Sequence, residues 1–177
     1  MRTTEKKEKI IDNTYMGEQI EFIDHDKSHS RHVVYYHHMF WKGSGYLQEH
    51  IHPEYDEVFE VVKGKATYYV NGKKYKAREG TTIRIPKGKR YINPFNGDIN
   101  ELVIKKKDSE KLQTEHFYRQ LYKMADSGKL NSDGVPNRIQ HLALACSTEG
   151  QTIFTSITLF IQRPLLALFG KYFLKTI

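Results

Sequence analysis

Two histidines one residue apart, followed at once by a proline, set the tightest constraint on what this chain can become. They sit in the pattern Gly45-x4-His50-x-His52-Pro53-x3-Glu57-x6-Gly64, and a second, shorter pattern follows as Gly80-x5-Pro86-x-Gly88. In a β-strand, residues i and i+2 project to one side, so His50 and His52 turn both imidazoles toward one point while Ile51 faces away. Pro53 cannot donate to a ladder and ends that strand; Glu54-Tyr55-Asp56 makes the turn and Glu57 opens the next strand. In that next strand Glu57, Phe59 and Val61 share a face that is apolar apart from the glutamate. A buried carboxylate needs a partner, and a metal ion held by the two imidazoles would supply one.

The residues around this stretch read as short antiparallel strands. Lys65 to Val70 and Lys73 to Ala77 flank Asn71-Gly72, a pair suited to the positive φ angles of a type I′ hairpin turn. Glu18 to Ile23 alternates as a first strand, and His32 to Trp41 is aromatic and β-branched almost throughout, the pattern of a strand buried on both faces. Thr81 to Ile85, Tyr91 to Phe95 and Ile99 to Lys106 complete eight or nine strands, with no helical crossover between them. Leu102 and Ile104 share one face of the last. This spacing suits an antiparallel sandwich or jelly roll and excludes a parallel sheet.

His50, His52, Glu57 and Gly64 match the first motif of the cupin superfamily, and Gly80, Pro86 and Gly88 match the second, so the chain resembles a small single-domain cupin. The resemblance implies a mostly β fold, an antiparallel jelly-roll barrel, with a pocket in its mouth for a small-molecule ligand. It implies a metal site as well, and pairing of two chains as a homodimer through barrel strands. Gly45 stands one residue nearer to His50 than is usual in that family. At the position where the second motif continues to a fourth ligand, a histidine, this chain has Tyr91, and Phe95 stands where an asparagine is usual, with Asn96 beside it. Two histidines and one carboxylate suit iron, manganese, nickel or zinc as divalent ions and leave positions open for substrate. Tyr91 is expected as a hydrogen-bond donor into the pocket, since a phenol with an ordinary pKa near 10 ligates only a strongly polarising ion.

The pocket is expected to be lined by Tyr91, Phe59 and His38. Of the adjacent His37 and His38 only one can face inward from a strand, and either would be a general base, although a core histidine bonded to backbone is the commoner role. His116 and His141 fall far from the motif and read as surface groups, and Cys146 has no basic partner in its segment to activate it.

Three units follow: an amino-terminal arm over 1–17, a barrel over 18–107, and a helical extension over 108–177. In the extension Phe117, Leu121 and Met124 recur at helical spacing within Thr114 to Asp126, and Ser127-Gly128 stops the helix. A second helix is expected after Pro136, with Ile139, Leu142 and Ala143 on one face, and the apolar stretch Thr152 to Ile177 reads as two helical pieces broken near Pro164. Its stripe of Leu165, Leu168, Phe169 and Tyr172 packs on the barrel or a second subunit; shallow association with a membrane surface is the competing reading. Spanning is disfavoured, because Arg163 at the centre would cost about 2.5–3.5 kcal/mol.

The formal net charge of +7 invites a nucleic-acid reading. The lysines fall at hairpin turns and strand ends, where they blunt sheet edges, and no nucleic-acid-binding motif accompanies them, so no nucleic-acid partner is expected. A single cysteine excludes an internal disulfide, and the charged amino terminus is no secretory signal, which makes a cytoplasmic location the default. Two functions beyond ligand binding stay open: a metal-dependent oxygenase or isomerase using His50, His52 and Glu57, and an assembly or membrane-surface protein acting through its apolar carboxy-terminal segment.

Overall fold

The computed structural model describes residues 9–23, 32–109, 114–128, 130–131 and 152–155. Its strands are β1 (Ile10–Asn13), β2 (Glu18–Ile23), β3 (His32–Met39), β4 (His50–Ile51), β5 (Glu57–Lys63), β6 (Lys65–Val70), β7 (Lys73–Arg78), β8 (Thr82–Ile85), β9 (Arg90–Asn96) and β10 (Leu102–Ser109). The helix α1 (Thr114–Asp126) and a short strand β11 (Ile153–Phe154) follow. The strands form two sheets in the orders β1-β2-β3-β10-β5-β8 and β11-β4-β9-β6-β7, and every pairing is antiparallel. This is the expected antiparallel jelly-roll arrangement with a helix after it.

Alternation along the strands decides what lies inside. Met39, Phe59, Val61, Ile83, Ile85, Tyr91, Leu102 and Ile104 fill the space between the sheets. A second cluster joins Ile11, Ile20, Phe22 and Tyr35 of β1–β3 to Phe117, Tyr118, Leu121, Tyr122 and Met124 of α1. The helix keeps the apolar stripe read from its sequence and adds Tyr118 and Tyr122, one step round the face, because the surface of β1–β3 is broad enough to cover both rows. Leu121 is almost wholly buried, a contribution of about 1.5–3 kcal/mol by transfer from water.

Three expectations are corrected. β3 is buried on one face only: Tyr35, His37 and Met39 point inward while Val34, Tyr36 and His38 are half-exposed, as befits an antiparallel sheet with a wet outer side. The amino-terminal arm contains β1, whose register with β2 runs from Ile10↔Glu21 to Asn13↔Glu18 and extends the sheet by one strand. Within the carboxy-terminal extension, Asp108 and Ser109 still belong to β10, and Ile153–Phe154 is a strand paired with β4 rather than part of a helix. β-branched and aromatic side chains at 152–154 fit an edge strand as well as an apolar helix, which made that stretch ambiguous. The helix expected after Pro136 and the stripe around Pro164 lie outside the described residues. Among the described residues no helix is long and apolar enough to cross a membrane.

The turns obey their residues. Asn71 and Gly72 both take positive φ, 51° and 77°, as a type I′ hairpin demands. Gly45, Gly64, Gly80 and Gly88 of the two motifs also lie at positive φ. At Gly64 the requirement is double, since a Cβ there would overlap the Glu101 carbonyl oxygen. At Gly88 the surroundings are open, and its amide donates to the His52 carbonyl at 2.8 Å, so the second motif fastens the strand of the first. Pro86, in the same turn, accepts from Lys89 N at 3.3 Å. Gly64→Ala should therefore lose more stability than Gly88→Ala. Backbone strain of about 1–3 kcal/mol applies to both, and the collision adds to it only at position 64, which urea denaturation of the two variants will show.

Candidate metal centre and barrel pocket

The inward sides of β4 and β5 bring together the residues that the sequence singled out. His50, His52 and Glu57 are all buried, and one ligand atom from each lies within 4.8 Å of the others. The two imidazole rings stand 5.2 Å apart, and His52 Nε2 is 3.3 Å from Glu57 Oε1. His50 Nδ1 lies 2.8 Å from the Gln48 carbonyl oxygen. A carbonyl only accepts, so Nδ1 carries the proton and the lone pair sits on Nε2, the arrangement found around metal-bound histidines. Burial, then the neighbouring His52, lowers the His50 pKa to about 3 and keeps the ring neutral, as ligation requires. On the far side of His52, Nδ1 meets the Tyr55 hydroxyl and lies 3.5 Å from Thr152 Oγ1.

Tyr91 lies directly across the β4–β9 ladder from His50, with their rings 4.4 Å apart. Its hydroxyl is buried, and neither it nor Glu57 Oε2 makes a well-formed hydrogen bond among the described residues. The two still feel one another: burial, and then the Glu57 charge, push the Tyr91 phenol well above its ordinary range. An acceptor buried without a donor, at the point where two histidines converge, is what a cation would satisfy. The donor set fits a divalent ion.

Two groups that the sequence reading passed over complete the site. Lys106 is buried, with Nζ 2.5 Å from Glu57 Oε1 and 3.2 Å from Asp108 Oδ1. Burial opposes its charge, but Asp108 and then Glu57 outweigh that and hold the ammonium above its ordinary pKa. Burial likewise pushes Glu57 up, and Lys106 followed by His52 more than reverses this, leaving the carboxylate ionised. Asp108 accepts from Thr114 Oγ1 at 2.8 Å and from the Tyr35 hydroxyl at 3.3 Å, and burial raises its pKa. In the sequence Lys106 stands in a run with Lys105 and Lys107 at a strand end, where a lysine ordinarily faces water. The signal that would have separated it is alternation, because Ile104, Lys106 and Asp108 fall on the face of β10 that points inward.

His50, His52, Glu57, Lys106 and Asp108 line a partly open cavity of about 40 Å³, whose wall also includes Tyr55, Phe117 and Tyr118 and Thr152 and Phe154 of the carboxy-terminal segment; Tyr91, expected in the lining, lies behind His50 and is not part of it. A water needs roughly 10–15 Å³ on that measure, so the space holds a hydrated ion or a ligand of a few heavy atoms. Phe59 lies beside it, 4.9 Å beneath Lys106 Nζ, and lines a smaller neighbouring cavity with His37. His38 does not line the pocket. It faces outward from β3, 3.0 Å from Glu101 Oε1 and stacked on Phe40, because strand alternation gives the inward place to His37. His37 is itself engaged, 2.9 Å from Glu18 Oε2, the carboxylate that also takes the Tyr122 hydroxyl and the Gly45 amide.

The His50 environment predicts an acid-sensitive fold. The unfolded chain takes up a proton at His50 near the ordinary value of about 6.5, whereas the folded chain does so only near 3. This group therefore leaves stability unchanged above about pH 6.5 and removes up to about 1.4 kcal/mol per pH unit as the pH falls from there toward 3. In denaturation of metal-free protein across that range, His50→Gln should lose less stability with falling pH than the parent.

Residues 36–104 match the family model described as a cupin domain. An uncharacterized protein from Aquifex aeolicus (strain VF5) is 49% identical over 54 residues, which is 30% of this chain and 45% of that protein, so the chain spans less than half of that relative's length. Among solved structures, KdgF from Halomonas sp. aligns over 52% of this chain and 79% of its own at 17% identity and a TM-score of 0.42. A cupin-like protein from Thermotoga maritima aligns over 52% of this chain and 68% of its own, at 21% identity and a TM-score of 0.43. The family match spans both motifs and the strands β4, β5 and β8 that flank them, so it is over residues 36–104 that this chain is similar to a cupin domain.

Proposed function

We propose that this cupin domain holds one divalent metal ion on His50, His52 and Glu57 and takes a small molecule in the adjoining cavity. The observation that carries the reading is the pairing of His50 Nδ1 with the Gln48 carbonyl, which leaves Nε2 free to ligate beside Glu57 Oε2, an oxygen that has no hydrogen-bond partner among the described residues. Two nitrogens and a carboxylate suit iron(II), manganese, nickel or zinc, and such an ion would polarise an oxygen of the bound ligand. Around it the chain's own groups have plain roles. Tyr55 and Thr152 orient His52, Tyr91 backs the His50 ring, and Phe117, Tyr118 and Phe154 exclude water. Whether turnover follows binding separates a ligand-binding protein from an oxygenase or isomerase.

Metal-free protein titrated with Mn²⁺ or Zn²⁺ should take up one ion per chain and gain thermal stability as the ion is added. His50→Ala and Glu57→Gln should each weaken uptake by about tenfold or more, while remaining folded by circular dichroism. Uptake unchanged by either substitution would place the ion elsewhere and end this reading.

A further inference from the structure

Resting on the proposed metal site, we infer that the small molecule it takes is an anion, bound jointly by the metal ion and the Lys106 ammonium. The inference comes from the charge inside the cavity. Among the described residues its lining contains one lysine, Lys106, two carboxylates, Glu57 and Asp108, and two imidazoles, His50 and His52, which can ligate a metal only as neutral rings; burial keeps Tyr35, Tyr55 and Tyr118 protonated. Lys106 already neutralises one carboxylate. Adding a divalent cation therefore leaves the described lining with at least one positive charge in excess, whether or not Asp108 is ionised. Excess charge in a buried site is costly, and a negatively charged ligand removes it.

The geometry supplies the contact. An ammonium has three N–H groups, and Glu57 Oε1 and Asp108 Oδ1 are the acceptors that Lys106 meets among the described residues, which leaves one donor for a ligand. Asp108 does not repel such a ligand strongly, because Thr114, Tyr35 and Lys106 all direct hydrogens at it. The ion and Lys106 also share Glu57, so a metal arriving alone draws on a carboxylate that Lys106 is using. A ligand oxygen that takes over the freed ammonium resolves the competition. A cavity of about 40 Å³ suits a small oxyanion, a short carboxylate being the simplest.

Metal and anion should then bind cooperatively, and calorimetric titration of the full chain with Mn²⁺, with and without acetate at constant ionic strength, tests this. In the parent protein acetate should tighten Mn²⁺ binding by about 5- to 150-fold, after correction for the weak association of Mn²⁺ with acetate in solution. Lys106→Met should bind Mn²⁺ more tightly than the parent without acetate and should lose the coupling, while Lys106→Arg keeps it. Mn²⁺ affinity that is the same with and without acetate in the parent overturns the inference and leaves the metal site standing; so does coupling undiminished in Lys106→Met. Absence of Mn²⁺ binding in every buffer, in parent and variants alike, removes the metal site and the inference together. If Lys106→Met fails to fold, Lys106→Gln, which keeps an N–H donor for Glu57 and removes the charge, takes its place and should likewise lose the coupling.

Discussion

A carboxylate inside a β-barrel has to be answered by positive charge or hydrogen-bond donors, and the contact between Glu57 and Lys106 is where this protein meets that demand. Both side chains are almost completely withdrawn from water, at 3% and 7% exposure. Removing either alone would strand the other, at a cost that for buried pairs runs to about 3–5 kcal/mol. The rest of the interior polar network is arranged around this pair. Asp108 shares the ammonium, Tyr35 and Thr114 share Asp108, and His52 leans on the same Glu57 oxygen. A β5 residue is thereby tied to β10, β3, β4 and the start of α1, so the electrostatics of the pocket and the closure of the barrel are one problem.

The two motifs contribute differently. The first carries the ligating atoms. The second holds the first in place: Gly88 donates to the His52 carbonyl, and the turn at Asp56 accepts from Lys87 N at 3.0 Å and from Arg84 at 2.7 Å. Asn96 performs similar work at the opposite end of β9, donating to the Met39 and Asn100 carbonyls at 2.9 and 2.8 Å while wholly buried. The carboxy-terminal segment adds β11 against β4, with Phe154 opposite His50 and Thr155 N bonded to Glu49 O. That strand covers the open edge beside the histidines and, together with α1, narrows the mouth to a cavity suited to a very small ligand.

Much of this was legible in the residues because turn chemistry and period-2 alternation are local signals. The spacing of His50, His52 and Glu57 gave the convergence of three side chains, Asn71-Gly72 gave the hairpin, and the Phe117-Leu121-Met124 period gave α1 with its bounds. What stayed hidden depended on contacts distant in sequence. Lys106 is the middle of three consecutive lysines, a run of like residues that masks alternation, and only its placement opposite Glu57, 49 positions away, reveals it as an interior cation. His38 was preferred to His37 because adjacency cannot say which of two neighbours faces inward; the phase is fixed by Tyr35 and Met39 on the same strand. Ile153–Phe154 is a strand because β4 offers it a free edge, information that no window of sequence contains.

The central claim is that two imidazoles and one carboxylate of this barrel meet on a cation. Anomalous diffraction from crystals grown with Mn²⁺ addresses it at the atoms concerned. The account predicts a single strong anomalous peak inside the barrel, at roughly 2.0–2.3 Å from His50 Nε2, His52 Nε2 and a Glu57 oxygen. Fully formed barrels with no peak there, and with Glu57 still paired to Lys106, would contradict it and leave the lysine as the only cation the site uses.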